Sequence, residues 1–144
     1  MNIAAILATK GSRVVTAKPE HTIRHALRLL ADHNIGALVV VDEQEAPVGI
    51  LSERDIVRET ARSEQLFTGV VRTLMTRDVV IGTPQDDLAA VGRTMTERRI
   101  RHLPIVEGGR LVGMISIGDI VKAQRDQYQG EVDTLQTQIL GDPA

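Results

Sequence analysis

The chain is predicted to adopt an α+β fold: two tandem β-α-β-β-α units packed as a pseudo-twofold pair, with an extra C-terminal helix. Three observations predict it. The sequence repeats itself at an offset of about 65 residues, each copy alternates short β-branched runs with amphipathic helical runs, and the residues beyond the second copy carry a helical period of their own. Val14, Val15, Pro19, Arg28, Ile35, Leu38 and Val41 recur as Val79, Val80, Pro84, Arg93, Ile100, Leu103 and Val106. After a one-residue deletion, Val48, Gly49, Ser52, Asp55, Ile56 and Val57 recur as Val112, Gly113, Ser116, Asp119, Ile120 and Val121. Matches in that order make chance a poor explanation.

In each copy a valine pair, Val14-Val15 or Val79-Val80, leads to a proline that ends a short strand. A helix follows. Ile23, Ala26, Leu27 and Leu30 have the i, i+3, i+4, i+7 spacing of a buried face, and Leu88, Val91, Gly92 and Met95 take the same places, with Asp86 or Asp87 as N-cap. The next strands are "ALVVVD" at 37–42 and "HLPIVE" at 102–107. The turns "EQEAP" and "GGR" lead into the returning strands "VGILS" and "LVGMIS". Each copy closes with a helix, from Ser52 to about Arg62 and from Ser116 to about Gln124. Neither copy is large enough to be stable alone, so the two are expected to pack together on their sheets. The expected units are a first repeat at 10–62, a linker helix at 63–76, a second repeat at 77–124 and a C-terminal helical tail at 125–144. Val70, Val71, Leu74 and Met75 suggest the linker helix, and "IAAILATKG" near the N-terminus reads as its counterpart. In the tail, Tyr128, Val132, Leu135 and Ile139 form a narrow apolar seam that either packs on its own domain or makes a dimer contact. Gly130 weakens that helix by roughly 1 kcal/mol relative to Ala.

Composition narrows the function. Aromatic residues are 1% of the chain, Phe67 and Tyr128, so the core is aliphatic and base-stacking capture of single-stranded nucleic acid is disfavoured. A net charge of −2 does not suggest a nucleic-acid coat or a polybasic membrane anchor. With no cysteine there is no disulfide framework, thiolate metal site or cysteine nucleophile. His21, His25, His33 and His102 have no metal-ligand spacing, and His21 and His25 are expected to face solvent. No apolar run approaches the ~20 residues that span a bilayer, and "MNIAAILATKG" lacks a basic leader. A cytoplasmic protein with no metal, nucleic-acid or membrane partner is therefore expected.

The doubled unit, closed in each half by Gly-aliphatic-aliphatic-Ser-x-x-Asp, resembles a tandem pair of CBS domains (cystathionine-β-synthase domains), also called a Bateman module. "IGALVVVD", "GILSERDIV" and "RIRHLPIVEGGRLVGMISIGDIV" carry the resemblance, which covers residues from about 10 to 124. It is nearest to short stand-alone bacterial CBS-pair proteins without a catalytic domain. The resemblance implies a regulatory sensor rather than an enzyme. It also implies adenosine-containing ligands (AMP, ADP, ATP, NAD(H) or S-adenosylmethionine) in clefts between the repeats, a homodimer of pairs, and a regulated partner protein. The alternative is a structural dimerisation module that binds no ligand.

Ser-x-x-Asp is by itself a helix capping box. The resemblance carries a second role onto it: Asp55 and Asp119 accept hydrogen bonds from ribose hydroxyls, and Ser52 and Ser116 meet phosphate or ribose at a helix N-terminus. Gly49 and Gly113 permit close backbone approach. The base slot is expected from Val15, Thr16 and Ala17, from Val80, Ile81 and Gly82, and from Ile35, Gly36, Ala37 and Ile100. For each aliphatic residue among them, core packing is the competing role. Arg101 and His102 replace Gly36 and Ala37 of the first copy, which makes them phosphate candidates, and His102 would add pH dependence. Arg98 and Arg99 read as a solvated helix end. Arg54, within "SERD", is a further phosphate candidate and aligns with Gly118, so the two sites are expected to differ. One would take a longer ligand such as NAD(H) and the other AMP.

Overall fold

A computed structural model describes residues 1–11 and 13–140, without the side chains of 136–140. In the first half, strand β1 (Thr16–Ala17) runs parallel to β2 (Ala37–Val41), which pairs antiparallel with β3 (Pro47–Ser52). Helix α2 (Ile23–His33) lies between β1 and β2, and α3 (Glu53–Thr60) follows β3 directly. Every residue of β2 is buried, as befits a central strand covered on both faces. The amphipathic reading of α2 holds: Ile23, Ala26 and Leu30 are buried, and Leu27 packs against the same core.

The second half repeats the plan with α4 (Leu88–Glu97), β4 (His102–Glu107), β5 (Arg110–Ser116) and α5 (Ile117–Leu140). Its central hairpin even breaks register at the matching place, between Ile105 and Val106 as between Val40 and Val41. Asp87 caps α4 by accepting from the Ala89 and Ala90 amides, whereas Asp86 binds the backbone and hydroxyl of Thr83.

Four expectations need correction. The first strand begins at Thr16, past the Val14-Val15 pair. Its counterpart after Val79-Val80 shrinks to one parallel bridge, Gly82 with Ile105, because Asp86 folds the chain back onto Thr83 immediately afterwards. The linker forms two short 3-10 turns, Leu66–Thr68 and Val71–Thr73, instead of a helix: Val70 is extended and bridges to Thr22, and Thr76 exchanges backbone hydrogen bonds with Ile50. The helix expected to stop near Gln124 continues unbroken to Leu140. Tyr128 and Leu135 on this extension are exposed, so they do not pack on their own domain. Ile139 lies outside the described side chains.

Two hydrophobic cores form, and each is completed by a segment from elsewhere in the chain. Ile3, Ile6 and Leu7 of helix α1 (Ile3–Lys10) pack into the second core, with Leu88, Met95, Ile105 and Ile115. Backbone bonds fasten α1 there: the Ile3 amide to Asp86 O, the Ala4 amide to Pro84 O and the Leu88 amide to Met1 O. The linker does the same for the first core, through Leu66, Val71, Leu74 and Met75. Gly49 and Gly113 explain how both segments get so close. A Cβ on Gly49 would lie 2.5 Å from the Met75 sulfur, and one on Gly113 would lie 2.6 Å from Cδ2 of Leu7. The repeats also touch at their turns, where the Leu111 amide donates to Glu45 O and Arg110 pairs with the Glu45 carboxylate.

Candidate functional site

The strand-to-helix junction at Ser52 is built by a reciprocal cap. The Asp55 amide donates to Ser52 Oγ (3.1 Å) and the Ser52 amide donates to Asp55 Oδ2 (3.0 Å). The first helical amide, of Glu53, donates to Gly36 O at 2.9 Å, tying α3 to the entrance of β2. These bonds fix the Asp55 carboxylate at the rim with Oδ1 unused. Among the described residues no cation pairs with it.

The second half faces this junction across a cleft of about 330 Å³, within the size range of small-molecule sites. The floor combines Ile50 and Gly36 from the first half with Val79, Val80 and Ile100 from the second. Arg54, Arg99 and Arg101 line it with His102, while Glu53 and Asp78 supply acidic groups. Such a cleft presents an apolar slot, a carboxylate acceptor and several guanidinium donors to one ligand. His102 has its pKa lowered by burial first and then by the nearby Lys10 ammonium, with Arg101 adding to it and Asp119 opposing it. The imidazole is therefore neutral at neutral pH, and the cationic charge of the cleft rests on the arginines.

The second junction has the same cap: the Asp119 amide donates to Ser116 Oγ (3.1 Å) and the Ser116 amide to Asp119 Oδ2 (2.8 Å). The Ile117 amide donates to Arg101 O at 2.9 Å, just as that of Glu53 does to Gly36 O. Its carboxylate, however, is occupied. Lys10 Nζ reaches Asp119 Oδ2 at 2.5 Å and donates to Met114 O at 2.8 Å. Burial pushes the Asp119 pKa up, but the bonds from Lys10 and the Ser116 amide outweigh it and leave the carboxyl below its ordinary value.

Of the residues singled out from sequence, the cleft brings together Gly36, Ser52, Arg54, Asp55, Val80, Ile100, Arg101 and His102. Ser116 and Asp119 stand at the other junction and do not line it. Ala17 and Ala37 are buried, Val15 and Ile35 pack on the first core, and Thr16 is half-buried beside them. Ile81 is exposed, and Gly82 is enclosed by Leu103 and Ile105. Arg98 stays off the cleft wall, but Arg99, read with it as a solvated helix end, lines the cleft. His21 is half-buried, its Nδ1 accepting from the Lys18 amide, and so is not simply solvent-facing.

Sequence reasoning missed Asp78 and Lys10. Asp78 gives no signal, standing at the start of the second repeat outside the matched positions of the two copies. Lys10 had one: it is the single charged side chain in "MNIAAILATKG", one turn past the apolar face of Ile3, Ile6 and Leu7. Among the described residues no cluster of three His, Cys, Asp or Glu side chains could hold a metal, and no helix is long and apolar enough to cross a membrane.

Two equivalent β-α-β-β-α units, each ending in a capped Ser-x-x-Asp junction, define a paired-domain protein. The chain matches the CBS domain over residues 6–62 and again over 71–126, and it belongs to that family. It is similar to a CBS-domain protein of Agrobacterium tumefaciens, with 38% identity, a TM-score of 0.80 and coverage of 86% of this chain and 99% of the other. The CBS pair of protein MJ0100, crystallised with 5-methylthioadenosine and S-adenosyl-L-methionine, is 26% identical with a TM-score of 0.78, over 88% of this chain and 98% of that one. CBSX2 in complex with AMP is 27% identical with a TM-score of 0.71, over 80% of this chain and 90% of that one. The mitochondrial CBS-domain protein CBSX3 of Arabidopsis thaliana is 34% identical over 127 residues; the match covers 85% of this chain but only 62% of the plant protein.

Proposed function

We propose that the protein is an adenine-nucleotide-binding regulatory module that takes AMP, ADP, ATP or NAD(H) between its repeats and signals to a partner protein. The observation that carries this reading is the convergence of an open carboxylate, Asp55, with an apolar slot and three arginines in one cleft. Asp55 Oδ1 accepts from the ribose diol, Val80 and Ile100 flank the base, and Ser52 with Arg54, Arg99, Arg101 and His102 faces the phosphates. The adenosine ligands of CBSX2 and of the MJ0100 pair support the ligand class. In this reading residues 10–62 and 77–124 are the ligand-facing units, and 125–144 carries the output. A ligand shifts the relation of the units only as far as it binds one arrangement better than another.

Calorimetric titration with AMP, ADP, ATP, NADH and S-adenosylmethionine tests the proposal. At least one binds the native chain, and Asp55→Ala weakens it by roughly tenfold or more, the loss of a charge-assisted hydrogen bond. No heat and no thermal stabilisation from any of them at millimolar concentration refutes it. The exposed Tyr128 and Leu135 favour a second reading, a dimerisation module with empty clefts, which predicts that negative result.

A further inference from the structure

The two Ser-x-x-Asp junctions match in their caps and differ in what meets the carboxylate. Asp55 Oδ2 carries one hydrogen bond, from the Ser52 amide. Asp119 Oδ2 carries two, one of them from the Lys10 ammonium, which Met114 O also holds. A carboxylate offers about four acceptor positions, and an ammonium is a stronger partner for it than a neutral hydroxyl. Oδ1 of Asp119 carries no bond, as at Asp55, but the ammonium offsets the carboxylate's charge and stands in the space beside it that a ribose would need.

The difference comes from the segments that complete the two cores. Leu7 seats on Gly113 and Met75 on Gly49. After Leu7 the helix continues one more turn and delivers Lys10 to Asp119. After Met75 the chain leaves the helical path to pair with Ile50, and Asp78 arrives at the first cleft, an acid where the other junction has a cation. The space beside Asp119 is walled by Met1, Ala5, Ile6 and Thr9 of the N-terminal segment, and none of Val15, Thr16, Ala17 or Ile35 borders it.

We propose that Lys10 is a built-in occupant of the second nucleotide site: it holds Asp119 closed, so each chain binds one nucleotide, in the Asp55 cleft, and gains a second site only when Lys10 releases. The inference rests on the nucleotide-binding reading above. It also makes α1 a latch, since whatever moves α1 sets the number of ligands bound.

Stoichiometry tests it, with AMP, ATP, NADH and S-adenosylmethionine as probes for the native chain, Lys10→Ala, Lys10→Gln and Asp55→Ala. The native chain takes one equivalent per chain, both Lys10 variants take two, Asp55→Ala takes its one equivalent roughly tenfold or more weakly, and Lys10→Ala combined with Asp55→Ala regains one equivalent at the affinity of the second site. Lys10 is partly exposed, so the variants fold, and melting curves check this. Two equivalents in the native chain, or a single equivalent in both folded Lys10 variants, overturns the latch and leaves nucleotide binding intact. No binding by any probe to any of these proteins overturns the functional reading itself, and the latch with it.

Discussion

Arg99 and Asn34 stand at equivalent helix ends, and both backbones are left-handed, with φ of 55° and 52°. Asparagine tolerates that conformation through its short polar side chain, whereas an arginine there costs roughly 1–2 kcal/mol. The costlier residue is the one that lines the cleft, an arrangement expected where a local cost serves a site. Arg99→Asn should therefore stabilise the protein by about 1 kcal/mol, read as a higher melting temperature. It should also weaken nucleotide binding roughly tenfold, read by calorimetry. Stabilisation with unchanged affinity would return Arg99 to a plain solvated helix end.

At the scale of elements, each repeat is finished by a segment that lies outside it in sequence. α1 precedes the first repeat but closes the second core, and the linker closes the first. Ile3 is fully buried in that second core, so Ile3→Ala should cost about 2–5 kcal/mol through lost burial and the cavity left behind. Hydrogen exchange locates the damage: amides of α4, β4 and β5 should lose protection before those of α2 and β2. Equal loss in both halves would mean the cores do not open separately. The helices and central strands were legible because each has a buried face at its own period, as in Ile23, Ala26 and Leu30 or the all-aliphatic β2. The 3-10 linker was not, because Val70, Leu74 and Met75 satisfy an apolar spacing while their partners, Thr22 and Gly49, lie far away in sequence.

At the scale of the whole molecule, the exposed area is 9383 Å², against about 7,300 Å² for a compact monomer of 15.7 kDa. The 24-residue α5, about 36 Å long, supplies much of the excess, since none of its described side chains past Ala123 joins either core. A helix that exposes Tyr128 and Leu135 seven residues apart, with the half-buried Val132 between them, suits a second copy of itself. Tyr128→Gln with Leu135→Gln should shift the chain from dimer to monomer in light scattering and leave its circular dichroism unchanged apart from slight loss of helix. A native chain that is monomeric at all concentrations would refute this.

Several features were determined by the sequence alone: the repeat, the order of its elements, and the Ser-x-x-Asp caps. All of these rest on short-range periodicity and on bonds within one turn. Half of the cleft was also legible, because Ser52, Arg54 and Asp55 are neighbours on one junction. Only the tertiary structure decided which half faces which. It set Val80, Ile100 and Arg101 of the second repeat opposite Asp55 of the first. It also put Lys10, 109 residues distant in the chain, onto Asp119. Both depend on contacts between distant segments, the second through α1 crossing to complete the second core, and such long-range packing leaves no periodic trace in the chain that folds into it.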